Sequence, residues 1–304
     1  MSQPDSYSHQ RYLFAKNTVT ERGLNQHVWN CFIERVRGLG EDGEIEVLDV
    51  GAGTGHMALR FIKALGRGTV KYTIVDKSKQ AIEGVRRAFG NASIDVHEQN
   101  ESHLIVKNKD VNIIVNTVQK DIFDHLGSIK ETPTYHVVVA QSILDLIPIN
   151  AFARQLKPLL EKNNVFYSAE TFNRVTTFLP TIDTEQSTSI IKAYHGSMTD
   201  VTPHGQTAGP ETGRKALQML RENGAHLEAA GSSDWIVLGS GGDYPADEAY
   251  FLYHILHFIE KELTGHSAID QAYLRSWLKT RRSQVEAGTL IFIAHQLDAL
   301  ASFS

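Results

Sequence analysis

One decapeptide constrains this chain more than any other segment: Glu46-Val-Leu-Asp-Val-Gly-Ala-Gly-Thr-Gly55. An apolar strand runs straight into a Gly-X-Gly-X-Gly turn, and His56 to Ile62 follow with a helical pattern. Glycines at 51, 53 and 55 let the backbone turn sharply and let a ligand approach it closely. The next helix aims its positive end at that ligand. Roughly twenty residues on, Lys71-Tyr-Thr-Ile-Val-Asp76 is a β-rich run ending in a carboxylate, placed to accept hydrogen bonds from ribose hydroxyls. Together the two motifs predict an adenosine-containing ligand on an α/β scaffold.

The pair of motifs resembles motif I and the strand-two acid of the class I S-adenosylmethionine (SAM)-dependent methyltransferases. The dinucleotide fingerprint G-x-G-x-x-G fits less directly: counted from Gly51 its last position is His56, and counted from Gly53 it is Ala58, which the G/A variant allows. An NAD-type ligand therefore stays open as an alternative.

Helices and strands alternate along the chain. Strands are predicted at 45–50, 71–76, 111–118, 135–141 and 164–169, with a closing strand at 289–295. Helices are predicted at 54–65, 78–89, 150–162 and 211–223, with N-terminal helices within 7–38. Residues 91–110 read as extra short strands or an extended hairpin. The resemblance implies a doubly wound, seven-stranded, mostly parallel Rossmann-like sheet whose last strand is antiparallel. It implies an N-terminal helical segment, 1–40, covering the cofactor pocket. A methyltransferase domain, 41–304, follows, with lid-like helical insertions at about 171–210 and 240–288.

The same resemblance implies site residues. Gly51, Ala52, Gly53 and Gly55 form the loop beneath SAM, and Asp76 holds its ribose. Asp121 meets the adenine amino group and Ile122 supplies an apolar face, with Asn100-Glu101 as the rival pair. Gln141 and Ser142, at the tip of strand four, face the methionine moiety. Arg22 or Tyr12 pairs with the methionine carboxylate.

Absences narrow the class further. The N/D-P-P-Y/F tetrapeptide of amino-methylating enzymes does not follow strand four; Ser142-Ile-Leu-Asp-Leu146 resembles that position in small-molecule methyltransferases. The C-terminal runs Ser233-Asp-Trp-Ile-Val-Leu238 and Ala294-His-Gln-Leu-Asp298 resemble uncharacterised bacterial small-molecule methyltransferases. No Asp-Asp-Asn set for magnesium is recognisable, so no metal is expected. With 304 residues, 41% hydrophobic, the chain can bury a large core. Its net charge of −5 and lack of a basic block argue against a nucleic-acid or membrane-surface partner. The polar N-terminus, the lack of any long apolar run and the single Cys31 fit a cytoplasmic enzyme, a monomer or homodimer acting on a small molecule.

SAM carries its own leaving group, so transfer is an in-line displacement that asks mainly for alignment and exclusion of water. A general base helps where the acceptor is a hydroxyl or ammonium. His195 and His204, flanking the 171–210 insertion, and Asp145 are the candidates. His254 and His257 lie at i and i+3, a spacing that suits a metal pair but more often a helix packing face. Three classes stand: a small-molecule methyltransferase, a methyltransferase for protein or RNA, and a non-methylating user of the pocket such as an aminopropyltransferase, an NAD-dependent enzyme or a SAM-binding regulator.

Overall fold

The computed structural model describes residues 3–39, 43–92, 94–100, 102–108, 110–129, 135–160 and 164–303. Along the chain run α1 (His9–Gly23), α2 (Gln26–Leu39), β1 (Ile45–Val50), α3 (His56–Leu65), β2 (Arg67–Asp76), α4 (Lys79–Gly90), β3 (Asp95–Asn100), β4 (His103–Asn108) and β5 (Asp110–Gln119). Then come α5 (Ile122–Ser128), β6 (Val137–Gln141), α6 (Ile149–Leu156), β7 (Val165–Leu179), α7 (Thr184–Ser197), β8 (Val201–Thr202), β9 (Gly205–Gln206) and α8 (Thr212–Glu222). The chain closes with β10 (Ala225–Ser232), β11 (Trp235–Val237), α9 (Glu248–Leu263), α10 (Gln271–Glu286) and β12 (Ile291–Phe303).

The main sheet has the order β10-β12-β7-β6-β1-β2-β5-β4-β3, with β11 paired to β12. From β10 to β5 this is the expected doubly wound arrangement: β5, β2, β1, β6 and β7 are parallel, and β12 is inserted antiparallel between β7 and β10. The sheet nevertheless has ten strands rather than seven. An antiparallel hairpin, β3–β4, extends the β5 edge, so residues 91–110 resolve as the hairpin alternative.

The central strands are apolar on both faces because helices cover both. Alternate residues of β1 diverge accordingly. Val47 joins a core with Phe32, Phe61, Phe89 and Tyr72, while Leu48 and Val50 join one with Phe123, Phe152, Phe166 and Leu220. Deleting one such buried phenylalanine to alanine costs about 3–5 kcal/mol.

The two predicted insertions pack into a third core. Phe178, Trp235, Tyr250, Leu256, Trp277 and Phe292 meet there, from β7, β11, α9, α10 and β12. The first insertion begins later than residue 171, since β7 is a 15-residue strand that continues to Leu179. Its β-branched threonines suit a strand, and β12, at 13 residues, pairs with it up to Ile291↔Leu179.

Candidate active site

Register brings the strand tips to one rim. Val50 pairs with Val75, Asp76 with Gln119, and Gln141 with Ala169. Ligands of open α/β sheets bind at such a carboxyl edge, where helices depart to opposite faces.

The glycine loop sits at the centre of the rim. Gly51 and Gly53 have φ of +64° and +57°, left-handed values that favour glycine. At Gly51 a Cβ would also lie 2.4 Å from Ile143 Cγ1. At Gly53 it would meet nothing nearer than Leu13 Cδ1 of α1, at 3.7 Å, so this glycine looks into open space under α1. Gly51 N and Ala52 N donate to Val75 O at 2.8 and 3.2 Å. Gly53 N donates to Asp76 Oδ2 at 2.9 Å, and Ser78 N to Oδ1 at 2.8 Å. Each carboxylate oxygen can accept a further bond. Gly55 N closes the turn on Ala52 O at 3.0 Å.

Asp121 lies two residues past the tip of β5, beside Asp76, whose carbonyl accepts from Lys120 N at 3.0 Å. It caps α5 by accepting from Phe123 N at 2.8 Å, and Ile122 is buried behind it. Asn100 belongs to the β3–β4 turn, where its Oδ1 accepts from Ser102 N at 2.9 Å. Glu101 lies outside the described residues.

The other half of the rim is acidic and strained. Gln141 Nε2 donates to Glu170 Oε2 at 2.7 Å, and Trp235 Nε1 to Glu170 Oε1 at 3.0 Å. Ser142 Oγ also reaches Glu170 Oε2, at 3.3 Å. Ser142, just past β6, and Glu170, within β7, hold φ of +52° and +53°, a conformation costing about 1–3 kcal/mol each for residues with a Cβ. Glu170 is 1% exposed, and burial pushes its carboxyl up against the opposing pull of Lys16. Asp145, in the short turn after β6, is likewise raised by burial and lowered by Lys16.

Lys16 is the residue the sequence did not single out. It projects from α1 into this acidic half, with Nζ 5.2 Å from the Trp235 ring centroid. Burial lowers its pKa, while Glu170 and then Asp145 hold it up. Among the described residues its ammonium makes no hydrogen bond and no ion pair. The phenols of Tyr12 and Tyr194 face the same space: burial raises both, and Asp145 adds to each shift. Lys16, Asp145, Tyr12 and Tyr194 each keep some accessible surface.

Two ion pairs fix α1 across the rim. Arg11 grips Asp247 at 2.7 and 2.8 Å, and Arg22 grips the fully buried Glu248 at 2.5 and 2.8 Å. Arg22 is thereby committed to α9, about 20 Å along α1 from His9, the residue that feels the Asp76 charge. Of the two predicted partners for the methionine carboxylate, only Tyr12 reaches the cleft.

The predicted bases do not converge. His195 is buried against Thr176 Oγ1 at 3.0 Å and held neutral, its pKa lowered to about 4 by burial. His204, exposed on the β8–β9 turn, stacks on Phe123 with centroids 4.3 Å apart. His254 and His257 pack among Tyr7, Tyr12 and Phe258, the aromatic face their spacing predicted. Among the described residues no group of three or more His, Cys, Asp or Glu is arranged to hold a metal.

Fold and site together define a Rossmann-like α/β chain with a glycine loop at the carboxyl edge of its sheet. Residues 47–131, the loop and the two strand tips just described, match the family model for a methyltransferase domain. The chain therefore contains a methyltransferase domain. No curated protein matches it by sequence. Among solved structures it is similar to the YcgJ protein of Bacillus subtilis, at 11% identity over 92% of this chain and 100% of that one, TM-score 0.45. It is also similar to the cyclopropane synthase MmaA2 of Mycobacterium tuberculosis, at 12% identity over 97% and 100%, TM-score 0.41. A third is coclaurine N-methyltransferase bound to N-methylheliamine and SAH, at 12% identity over 90% and 70%, TM-score 0.41.

Proposed function

We propose that the enzyme methylates a small-molecule acceptor held between α1, α7 and the tips of β6 and β7. One observation carries this reading: Lys16, Tyr12 and Tyr194 all lie within electrostatic reach of Asp145, and α1, which carries Lys16 and Tyr12, passes over Gly53 at Leu13. An acceptor enclosed by so few side chains is a metabolite rather than a macromolecule.

SAM supplies a methyl group already activated as a sulfonium. Gly51, Ala52, Gly53 and Gly55 let its methionine end approach the backbone, Asp76 accepts from the ribose hydroxyls, and Asp121 with Ile122 borders the adenine. Gln141 positions Glu170 beside the methionine end. The unpartnered Lys16 ammonium fits the methionine carboxylate, the role first sought at Arg22 or Tyr12. Asp145 is the base in this reading, because a carboxyl raised by burial accepts a proton more readily near neutrality. His195, bonded to Thr176, and His204, stacked on Phe123, stand outside this cleft. The segment 1–40 covers the cofactor. No helix among the described residues is long and apolar enough to cross a membrane. With its net charge of −5, we read the chain as a cytoplasmic monomer or homodimer that engages no nucleic acid.

Incubation with methyl-labelled SAM and a metabolite extract, with protein and RNA fractions in parallel, tests this. Label is expected in a small molecule, and to vanish with Gly53→Val. Label confined to protein or RNA would sink the small-molecule reading.

A further inference from the structure

A cavity of about 420 Å³ lies between β7, α7 and α10. Its charged wall has one sign. Arg174, Lys192 and Arg281 line it, and no aspartate or glutamate does. Arg174 is bridged at 2.7 Å to Glu211, outside the lining. Lys192 is exposed and, among the described residues, makes neither a hydrogen bond nor an ion pair.

Arg281 is the unusual member. It is 1% exposed, and its Nη atoms donate to Pro180 O, Gln284 Oε1 and Phe178 O at 2.7, 2.9 and 3.3 Å. Its Nε has no partner, and among the described residues no carboxylate forms an ion pair with it. A buried guanidinium normally has an acid beside it, since an unpaired buried charge is costly. Here the missing negative charge has room to arrive from the cavity. The Thr181 hydroxyl lines the cavity, that of Thr188 donates to Thr184 O at 2.6 Å, and Phe178, Ile191 and Trp277 add apolar surface. His195, kept neutral, contributes no charge.

We propose that this cavity binds an organic anion, a carboxylate or phosphate monoester on an apolar body, at a site separate from the cofactor rim. Calorimetry on the full chain with hexyl phosphate, hexanoate and uncharged hexanol tests it. At least one of the two anions is expected to bind saturably and hexanol not to. Lys192→Glu should weaken that anion by about tenfold or more, as loss of a charge-assisted contact plus a like-charge repulsion predicts. Because Lys192 is a free surface side chain, the variant should keep the wild-type melting temperature and affinity for S-adenosylhomocysteine. Anion binding should persist when S-adenosylhomocysteine is saturating. Failure of both anions to bind, equal binding by hexanol, unchanged affinity in Lys192→Glu, or displacement by S-adenosylhomocysteine would each overturn the proposal.

Discussion

Gly53 N donates to Asp76 Oδ2 across 2.9 Å, so the glycine loop is tied to the tip of β2 before any ligand reaches it. Asp76 holds the loop as a result, and in the proposed function it also offers its remaining lone pairs to a ribose. Asp76→Ala removes both. With charge-assisted bonds worth ~1.5–3 kcal/mol each and water replacing part of the loss, affinity should fall roughly 10- to 100-fold. Calorimetry should show the loss for SAM and S-adenosylhomocysteine alike; wild-type affinity for both would remove Asp76 from the site.

Gly53→Val should abolish SAM binding while the protein stays folded. At φ +57° a β-branched residue is strained, and its branches would enter the space under Leu13. Far-UV circular dichroism should match the wild type while calorimetry shows no heat of SAM binding.

Lys16→Met keeps the side-chain length and removes the charge. Loss of a charge-assisted pair with a carboxylate should weaken SAM about tenfold. A SAM analogue with an esterified carboxylate should bind both proteins equally. If Lys16→Met instead leaves SAM affinity intact and raises only the acceptor KM, the lysine belongs to the acceptor.

Asp145→Asn tests the base. Removing a positioned proton acceptor lowers kcat by about 10²–10⁴-fold, and SAM affinity should hold. Unchanged kcat with the acceptor identified by labelling would show that Asp145 only lines the cleft.

Asp49 predicts a pH dependence of stability. It is fully buried in β1, accepts from Tyr72 Oη at 2.9 Å, and has its pKa pushed up to about 7 by burial, against 3.8 for an exposed carboxyl. Between those values the folded chain binds a proton that the unfolded chain has lost. This contribution to stability is therefore complete below about pH 4 and is lost as pH rises through about 7. Asp49→Asn cannot ionise, so the difference in Tm between variant and wild type should shift in the variant's favour from pH 5 to pH 8. A difference constant over that range would contradict the assignment.

The central motifs were legible because local chemistry fixes them. A run buried on both faces, Val47 to Val50, can be little else than an inner strand, and three glycines after it demand a turn. What escaped depends on partners far along the chain. Lys16 stood out only as one base among aromatics, since nothing nearby in sequence shows Glu170 across the cleft from it. Arg22 was expected at the cofactor because its true partner, Glu248, enters from the start of α9. Residues 171–179 were read as the start of an insertion. Their polarity hides a strand whose pairing with β12 exists only once the chain has folded.

That long pairing sets the mechanical character of the aromatic core. Strands β7 and β12 both continue from the floor of the sheet into the aromatic core above it, from Val165↔Ser302 to Leu179↔Ile291, with register shifts between Leu297 and Ala299 and between Ala294 and Gln296. A module joined by flexible linkers can swing away on a hinge, but one built from the same two strands as its base cannot without unzipping them. The upper core therefore behaves as a fixed gable, whose geometry is set at folding and not at each turnover.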